Sequence, residues 1–315
     1  MGDKIKARYG RMKSFNASED AIRIIKKSKK DDERFFMWID YNDTHIPYNP
    51  KEFTGKFESK DKEKSFFEGI RKENYNPLLA EYWKGAFGKE YSIKDIISRY
   101  DSAIYYDDYL IGKIIETLKK EDILEDTIIF FFSDHGESFY EHGIYFDHHG
   151  LYDVSMNFPL IISGNKIPEN KKIKGFVQHE DFVPTILNLL DISYNPDDFD
   201  GESLLPLIKD KKKVRDYIFM EEGDKSKKRA IRTINYKYIE SDSKEDAFCR
   251  YCNRVHGGII ELYNLKKDPK ETKNLAEKRG KMATSLRKKL EETIKSYRKI
   301  NEQRRIRKKI GGISQ

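Results

Sequence analysis

Residues 127–160 read TIIFFFSDHGESFYEHGIYFDHHGLYDVSMNFPL, and the fold is decided there. Ile128–Ser133 is an apolar run rich in β-branched and aromatic side chains, the pattern of a buried strand. It stops at Asp134-His135-Gly136-Glu137. Ligands of open α/β sheets sit beyond the carboxyl ends of the strands, so chemistry is expected at this stop. His142, Asp147, His148 and His149 follow, and Phe158–Ile162 reads as a second apolar strand. Four of the chain's seven histidines thus fall within fifteen residues. An Asp-His pair leaving a strand offers an oxygen and an imidazole nitrogen to a divalent metal. The plain alternative is a polar loop with incidental histidines.

The totals narrow the class. The 315 residues suffice for one large domain, or one domain and a smaller one. Hydrophobic residues make up only 37%, but aromatics at 13% supply bulk for a core. No apolar run approaches the ~20 residues of a membrane helix. The opening MGDKIKARYGRMKSF lacks the apolar stretch of a secretory signal, and two cysteines make no disulfide framework. A reducing cytoplasm is therefore the expected setting. The net charge of +7 is uneven: residues 278–315 carry +11 and residues 1–277 carry −4.

Upstream of the decisive stretch, Ser18 is placed to cap a short helix that ends in KKSKKDDER. Arg34–Asp40, RFFMWID, reads as a first buried strand, followed by the loop YNDTHIPYNP. Lys51–Glu90 is charged and aromatic with weak periodicity, a covering segment. Ile93–Lys120 keeps three-four spacing from Ile93, Ile96 and Ile97 through Ile104 to Leu118, a long amphipathic helix. Asp107 and Asp108 fall mid-helix and read as its polar face, with an orienting role at most.

Downstream, Tyr217–Glu221, Ala230–Thr233, Tyr236–Ser241 and Ile259–Asn264 are short β-rich runs between charged turns, which predicts an antiparallel sheet. Between two of them lies Cys249-Arg-Tyr-Cys252, with His256 beyond. One CxxC and one histidine fall short of the four ligands of a zinc site, so an inert hairpin is the expectation. In residues 281–309, Met282, Leu286, Leu290, Ile294 and Tyr297 approach helical spacing among basic residues. That tail is expected to dock one apolar face, or to tether an anionic surface or nucleic acid.

Several of these motifs together resemble the sulfatase branch of the alkaline-phosphatase superfamily. The matching features are Ser133-Asp134-His135-Gly136-Glu137, Glu141-His142-Gly143, the HG-LYD run through Asp153 and the strand opening at Pro159. Asp43-Thr44-His45-Ile46-Pro47-Tyr48 is similar to the family's Asp-Pro-His-x-Pro-Tyr segment, with Thr44 where proline is usual. Gly175–Ile192 resembles its HVD-x-x-PTIL-x-LL helix, residues 200–204 its DG-x-S-L turn, and residues 261–276 its late ELYDL…DP…NLA segment.

The resemblance implies an alkaline-phosphatase-like α/β sheet with flanking helices. On the same reading, residues 1–213 are the later part of the catalytic domain. Residues 214–277 are a small antiparallel subdomain and 278–315 a basic helical tail. It implies Asp134 and His135 as ligands of one divalent metal, calcium as the family's usual ion with manganese or zinc open. His149 and His45 become the residues that hold the sulfate and act near the leaving oxygen, with His142 and His148 behind them. His179 and Asp181 fall in a segment that is mainly structural in the family.

The chain also departs from the family pattern. The family's first strand ends in paired aspartates, and a Cys/Ser-x-Pro-x-Arg motif supplies the formylglycine nucleophile; neither occurs here. The expected function is a sulfatase-like hydrolase of sulfate or phosphate esters, as a fragment, a truncated product or half of a split enzyme with an upstream partner. The rivals are a phosphonate monoester hydrolase or phosphoethanolamine transferase of the same superfamily, and a non-catalytic remnant serving as a partner surface.

Overall fold

The computed structural model describes residues 14–48, 53, 57, 76–87, 92–209 and 213–311, with side chains through 305. Residues 1–13, most of the covering segment 51–90 and most of the charged run 209–213 lie outside the described residues. The chain divides into two compact units, Met1–Ile129 and Phe130–Gln315.

In the first unit, α1 (Ser14–Asp31) begins four residues before the expected cap and ends on Lys29 and Lys30. Ser18 is buried inside it, its hydroxyl 2.9 Å from the Tyr41 hydroxyl. A tertiary partner has taken the group that local reasoning gave to a cap. After α2 (Pro77–Phe87) comes α3 (Ile93–Lys120), with the bounds its periodicity predicts. Ser92 and Asp95 close its N-terminus as a reciprocal capping box. Its buried stripe runs through Ile96, Ala103, Tyr106, Asp107, Leu110 and Leu118, while Ile104 is exposed. The face is therefore turned from the one the isoleucines suggest. Arg34–Asp40 joins no ladder among the described residues, and Phe36 and Trp38 stand 77% and 72% exposed. The expected buried strand is thus an extended segment outside any ladder among the described residues.

The boundary falls after the first residue of β1 (Ile129–Phe132), and the rest of that strand opens the second unit. A short helical turn, α4 (Asp153–Met156), precedes β2 (Leu160–Ser163), and the two strands pair as a two-stranded sheet. They are half-buried, not buried as expected, with Phe131 and Ile161 exposed. Phe182, at the start of α5 (Phe182–Leu189), packs its ring 4.7 Å from that of Phe132. Leu160 and Ile162 pack on Leu204, Leu207 and Ile208 around α6 (Leu205–Ile208).

Beyond them lies the expected antiparallel sheet: β3 (Tyr217–Glu222), β4 (Lys228–Thr233), β5 (Tyr236–Glu240) and, after a hairpin, β8 (Ile260–Asn264), in the order β3-β4-β5-β8. The hairpin comprises a turn of helix, α7 (Lys244–Ala247), then β6 (Phe248–Cys249) and β7 (Arg254–Val255). Period-two alternation gives the sheet two apolar faces. Ala230 and Ile239 pack with Ile144, Leu151 and Tyr152 of the histidine-rich loop. Ile231, Tyr238 and Leu262 pack with Leu286 and Leu290 of α8 (Gly280–Gly311). The basic tail is thus a docked helix, and no described helix is long and apolar enough to cross a membrane.

Candidate active site and a second histidine cluster

Asp134 leaves the sheet just past β1. Its carboxylate is 85% exposed and accepts the His135 N–H at 3.0 Å. Ser133 Oγ donates to the His135 carbonyl at 2.9 Å, and the Gly136 N–H donates to the Ser155 carbonyl at 2.8 Å. A Cβ on Gly136 would lie 2.2 Å from the Val154 carbonyl oxygen, so this close approach requires glycine. Backbone packing, not side-chain chemistry, sets that third position of the DHG turn.

The loop then folds back. Ser138 and Asp147 exchange backbone hydrogen bonds at 3.0 and 3.2 Å, which brings His148 over His135. The two imidazole rings stack with centroids 3.8 Å apart. Ligand atoms of His135, Glu137 and His148 all come within 4.8 Å of one another. Burial, and then the neighbouring His135, hold the His148 pKa below its ordinary value. The cluster therefore offers neutral imidazole nitrogen and carboxylate oxygen beside exposed Asp134, a donor set suited to a divalent cation. Glu137 was not anticipated, and His148, expected behind the site, stands within it.

His149 lies elsewhere. Its side chain is buried, and Nε2 is 3.4 Å from both Cys249 Sγ and Cys252 Sγ. A sulfate oxygen has no approach to a nitrogen so enclosed, and the hand on the anion expected of His149 does not match this placement. Burial works against its protonation, but Asp147 Oδ1, 3.2 Å from Nδ1, and Cys249 outweigh it and raise its pKa to about 10. Cys252 and His149 in turn hold the Cys249 thiol far below its ordinary value. His142 is no polar neighbour of the metal loop either. Its ring stacks 3.6 Å from that of Tyr152, and burial with the charge of Lys237 lowers its pKa to about 4.

The HG-LYD run proves to be an anchor. Leu151 enters the core, and Tyr152 Oη donates to Glu261 at 2.9 Å. Asp153 takes Arg232 at 2.7 Å and the fully buried Lys237 at 2.6 Å. Burial opposes ionisation of Asp153, but Arg232 and Lys237 prevail and hold its pKa at about 2. Lys237 also reaches Glu271 at 2.6 Å and the Leu151 carbonyl at 2.9 Å. Removing one member would strand buried charge, so the network fixes the loop more firmly than polarity alone would suggest.

The segment after β2 is structural as well. His179 Nε2 lies 2.9 Å from the Ser133 carbonyl oxygen, and Asp181, fully buried, binds Arg215 through two bonds of 2.5 and 2.6 Å. In the first unit, His45 is exposed, with Nδ1 2.9 Å from the Ile46 carbonyl oxygen, and the Ile46–Pro47 bond is cis.

These features meet independent likeness. A model of the sulfatase family matches residues 7–192, and one described as N-sulphoglucosamine sulphohydrolase, C-terminal, matches residues 140–299. Arylsulfatase K of Bos taurus is 27% identical over 256 residues, 75% of this chain and 45% of the relative. The chain thus spans about half the length of the curated relatives it matches. Among solved structures, the phosphonate monoester hydrolase of Agrobacterium radiobacter superposes with a TM-score of 0.61 at 21% identity, covering 91% of this chain and 63% of that one. A protein solved with its substrate D-glucosamine-2-N,6-O-disulfate superposes with a TM-score of 0.56 at 25% identity, covering 74% and 45%. The alkaline-phosphatase-like fold and the matched segments lead to one conclusion: the chain belongs to the sulfatase family.

Proposed function

We propose that this chain contributes the metal-binding half of a sulfuric ester hydrolase. The convergence of His135, Glu137 and His148 beside Asp134 at the end of β1 carries this reading. Asp134 and His135 would hold one divalent metal, with Glu137 and His148 completing the set. Such an ion supplies positive charge to an anionic ester and its transition state. Two imidazoles in the set favour manganese or zinc over calcium, which prefers oxygen throughout. By the family resemblance alone, His45 would return a proton to the leaving oxygen. Sulfated sugars are the substrate class suggested by the structural neighbour solved with glucosamine disulfate. The docked tail keeps its basic side outward for an anionic surface.

The nucleophile belongs to a further segment. No Cys/Ser-x-Pro-x-Arg occurs in the 315 residues. The test is hydrolysis of p-nitrophenyl sulfate. The chain alone should be hardly faster than buffer, since losing an activated nucleophile costs several orders of magnitude. Supplying an upstream segment with the motif, and its formylglycine-generating enzyme, should restore turnover that Asp134→Ala abolishes. Metal-dependent turnover by the chain alone, lost in Asp134→Ala, would show that the nucleophile lies within these residues. Preferential hydrolysis of a phenylphosphonate by the restored protein would move it to the phosphoryl-transfer class.

A further inference from the structure

The histidine-rich loop holds one imidazole that the ester site does not use. His149 meets Cys249, Cys252 and His256, and one ligand atom from each lies within 4.8 Å of all the others. All four side chains are buried: Cys249 and Cys252 at 0%, His256 at 6% and His149 at 7% exposure. Neither sulfur is in a disulfide. We propose that these four residues form a structural zinc site, separate from the metal loop at Asp134.

The spacing fits the ion. With Zn–S of about 2.3 Å and Zn–N of about 2.1 Å, adjacent ligand atoms of a tetrahedral site stand roughly 3.6 Å apart. His149 Nε2 is 3.4 Å from each sulfur. Charge fits as well: two thiolates neutralise Zn²⁺, and two neutral imidazoles complete four ligands without leaving net charge in the interior. Binding releases to solvent the two protons that the four ligands share in the metal-free chain, and no electron is transferred.

The surroundings are those of ligands held for a metal. His256 Nδ1 is 2.8 Å from the His142 carbonyl oxygen and donates to it, which leaves Nε2 as the lone-pair nitrogen. That Nε2 is buried with no hydrogen-bond partner among the described residues. His149 Nδ1 faces Asp147 Oδ1 at 3.2 Å, so carboxylate and imidazole stand in the order that orients a ligating histidine. The Cys252 N–H points to Cys249 Sγ at 3.4 Å, and Asn253 turns the chain with a φ of 57° directly after the second cysteine. A backbone N–H on a ligand sulfur favours the thiolate.

The site also explains how a very small element persists. β6 and β7 pair through only two residue pairs, Phe248 with Val255 and Cys249 with Arg254. An isolated hairpin of that size is marginal in water. Zinc would tie it to a loop 100 residues earlier in the chain, where a covalent-strength link removes substantial unfolded-chain entropy.

The test uses the full chain, expressed with zinc and purified under reducing conditions. Elemental mass spectrometry of a His135→Ala chain, which disables the metal loop, should find about one zinc per chain, and adding Cys249→Ser or Cys252→Ser should each lower it more than about tenfold. Because those variants could misfold, the wild-type chain provides a second measurement. Cys249 and Cys252 are its only cysteines, so titration with a mercurial should release zinc in step with two thiols. Cobalt-loaded protein should show thiolate-to-cobalt charge-transfer absorption. Zinc that stays in either serine variant, thiols that react without releasing zinc, or a chain that carries iron or copper there would each overturn the assignment.

Discussion

Asp107 occupies a mid-helix position that the sequence assigns to the solvated face of α3, yet it is buried. Burial first, and then Asp43 beside it, raise its pKa to about 8. The folded first unit therefore keeps a proton that the unfolded chain gives up near pH 4. Between these two values the folded state binds more protons, so stability is full at low pH and declines as pH rises towards 8. Asp107→Asn, which keeps the shape and removes the titration, should flatten that decline while changing stability little at about pH 5. Urea melts of both proteins across the range check this, and parallel pH profiles would contradict it. The spacing of Ile93–Lys120 gave the helix bounds correctly but not the azimuth of its buried face, since that depends on which neighbours it meets. Glycine at 136 has the same lesson: its need arises from the Val154 carbonyl, eighteen residues away.

Elements whose stability is local were legible in the sequence, and those completed from a distance were not. The runs expected at 217–221, 230–233, 236–241 and 259–264 match β3, β4, β5 and β8 because hairpin neighbours and period-two alternation are local properties. Arg34–Asp40 has the composition of a strand but no ladder among the described residues, for strand formation needs a partner that its own residues do not specify. The tail helix was legible through its apolar spacing, and its docking has a measurable price. Leu290 is fully buried against Ile231, Tyr238 and Leu262. Leu290→Ala should lower stability by about 2–5 kcal/mol in denaturant titrations, whereas Lys288→Ala, on a side chain 78% exposed, should stay within about 0.5 kcal/mol. Equal effects at the two positions would mean that α8 does not dock through this stripe.

Across the whole molecule, the histidines of one loop divide between two centres. His135 and His148 stack at the mouth of β1, and His149, next in sequence, turns into the interior towards a hairpin beyond residue 247. The family resemblance gathers all of them around one site, with His135 on the metal, His149 on the anion and His142 and His148 behind. The CxxC looked incomplete because its fourth ligand stands 100 residues earlier. The sheet under the loop enforces the division, with Tyr152 on Glu261 and Asp153 on Arg232 and Lys237 holding the backbone between. The account therefore rests on two metal positions with separate ligands. Its most direct test is the zinc content of purified His135→Ala and His149→Ala chains, measured side by side by elemental mass spectrometry. The prediction is that His135→Ala retains about one tightly held zinc per chain and His149→Ala loses it. Thiol-bound zinc, released by a mercurial, that persists in His149→Ala or is lost from His135→Ala would contradict the division.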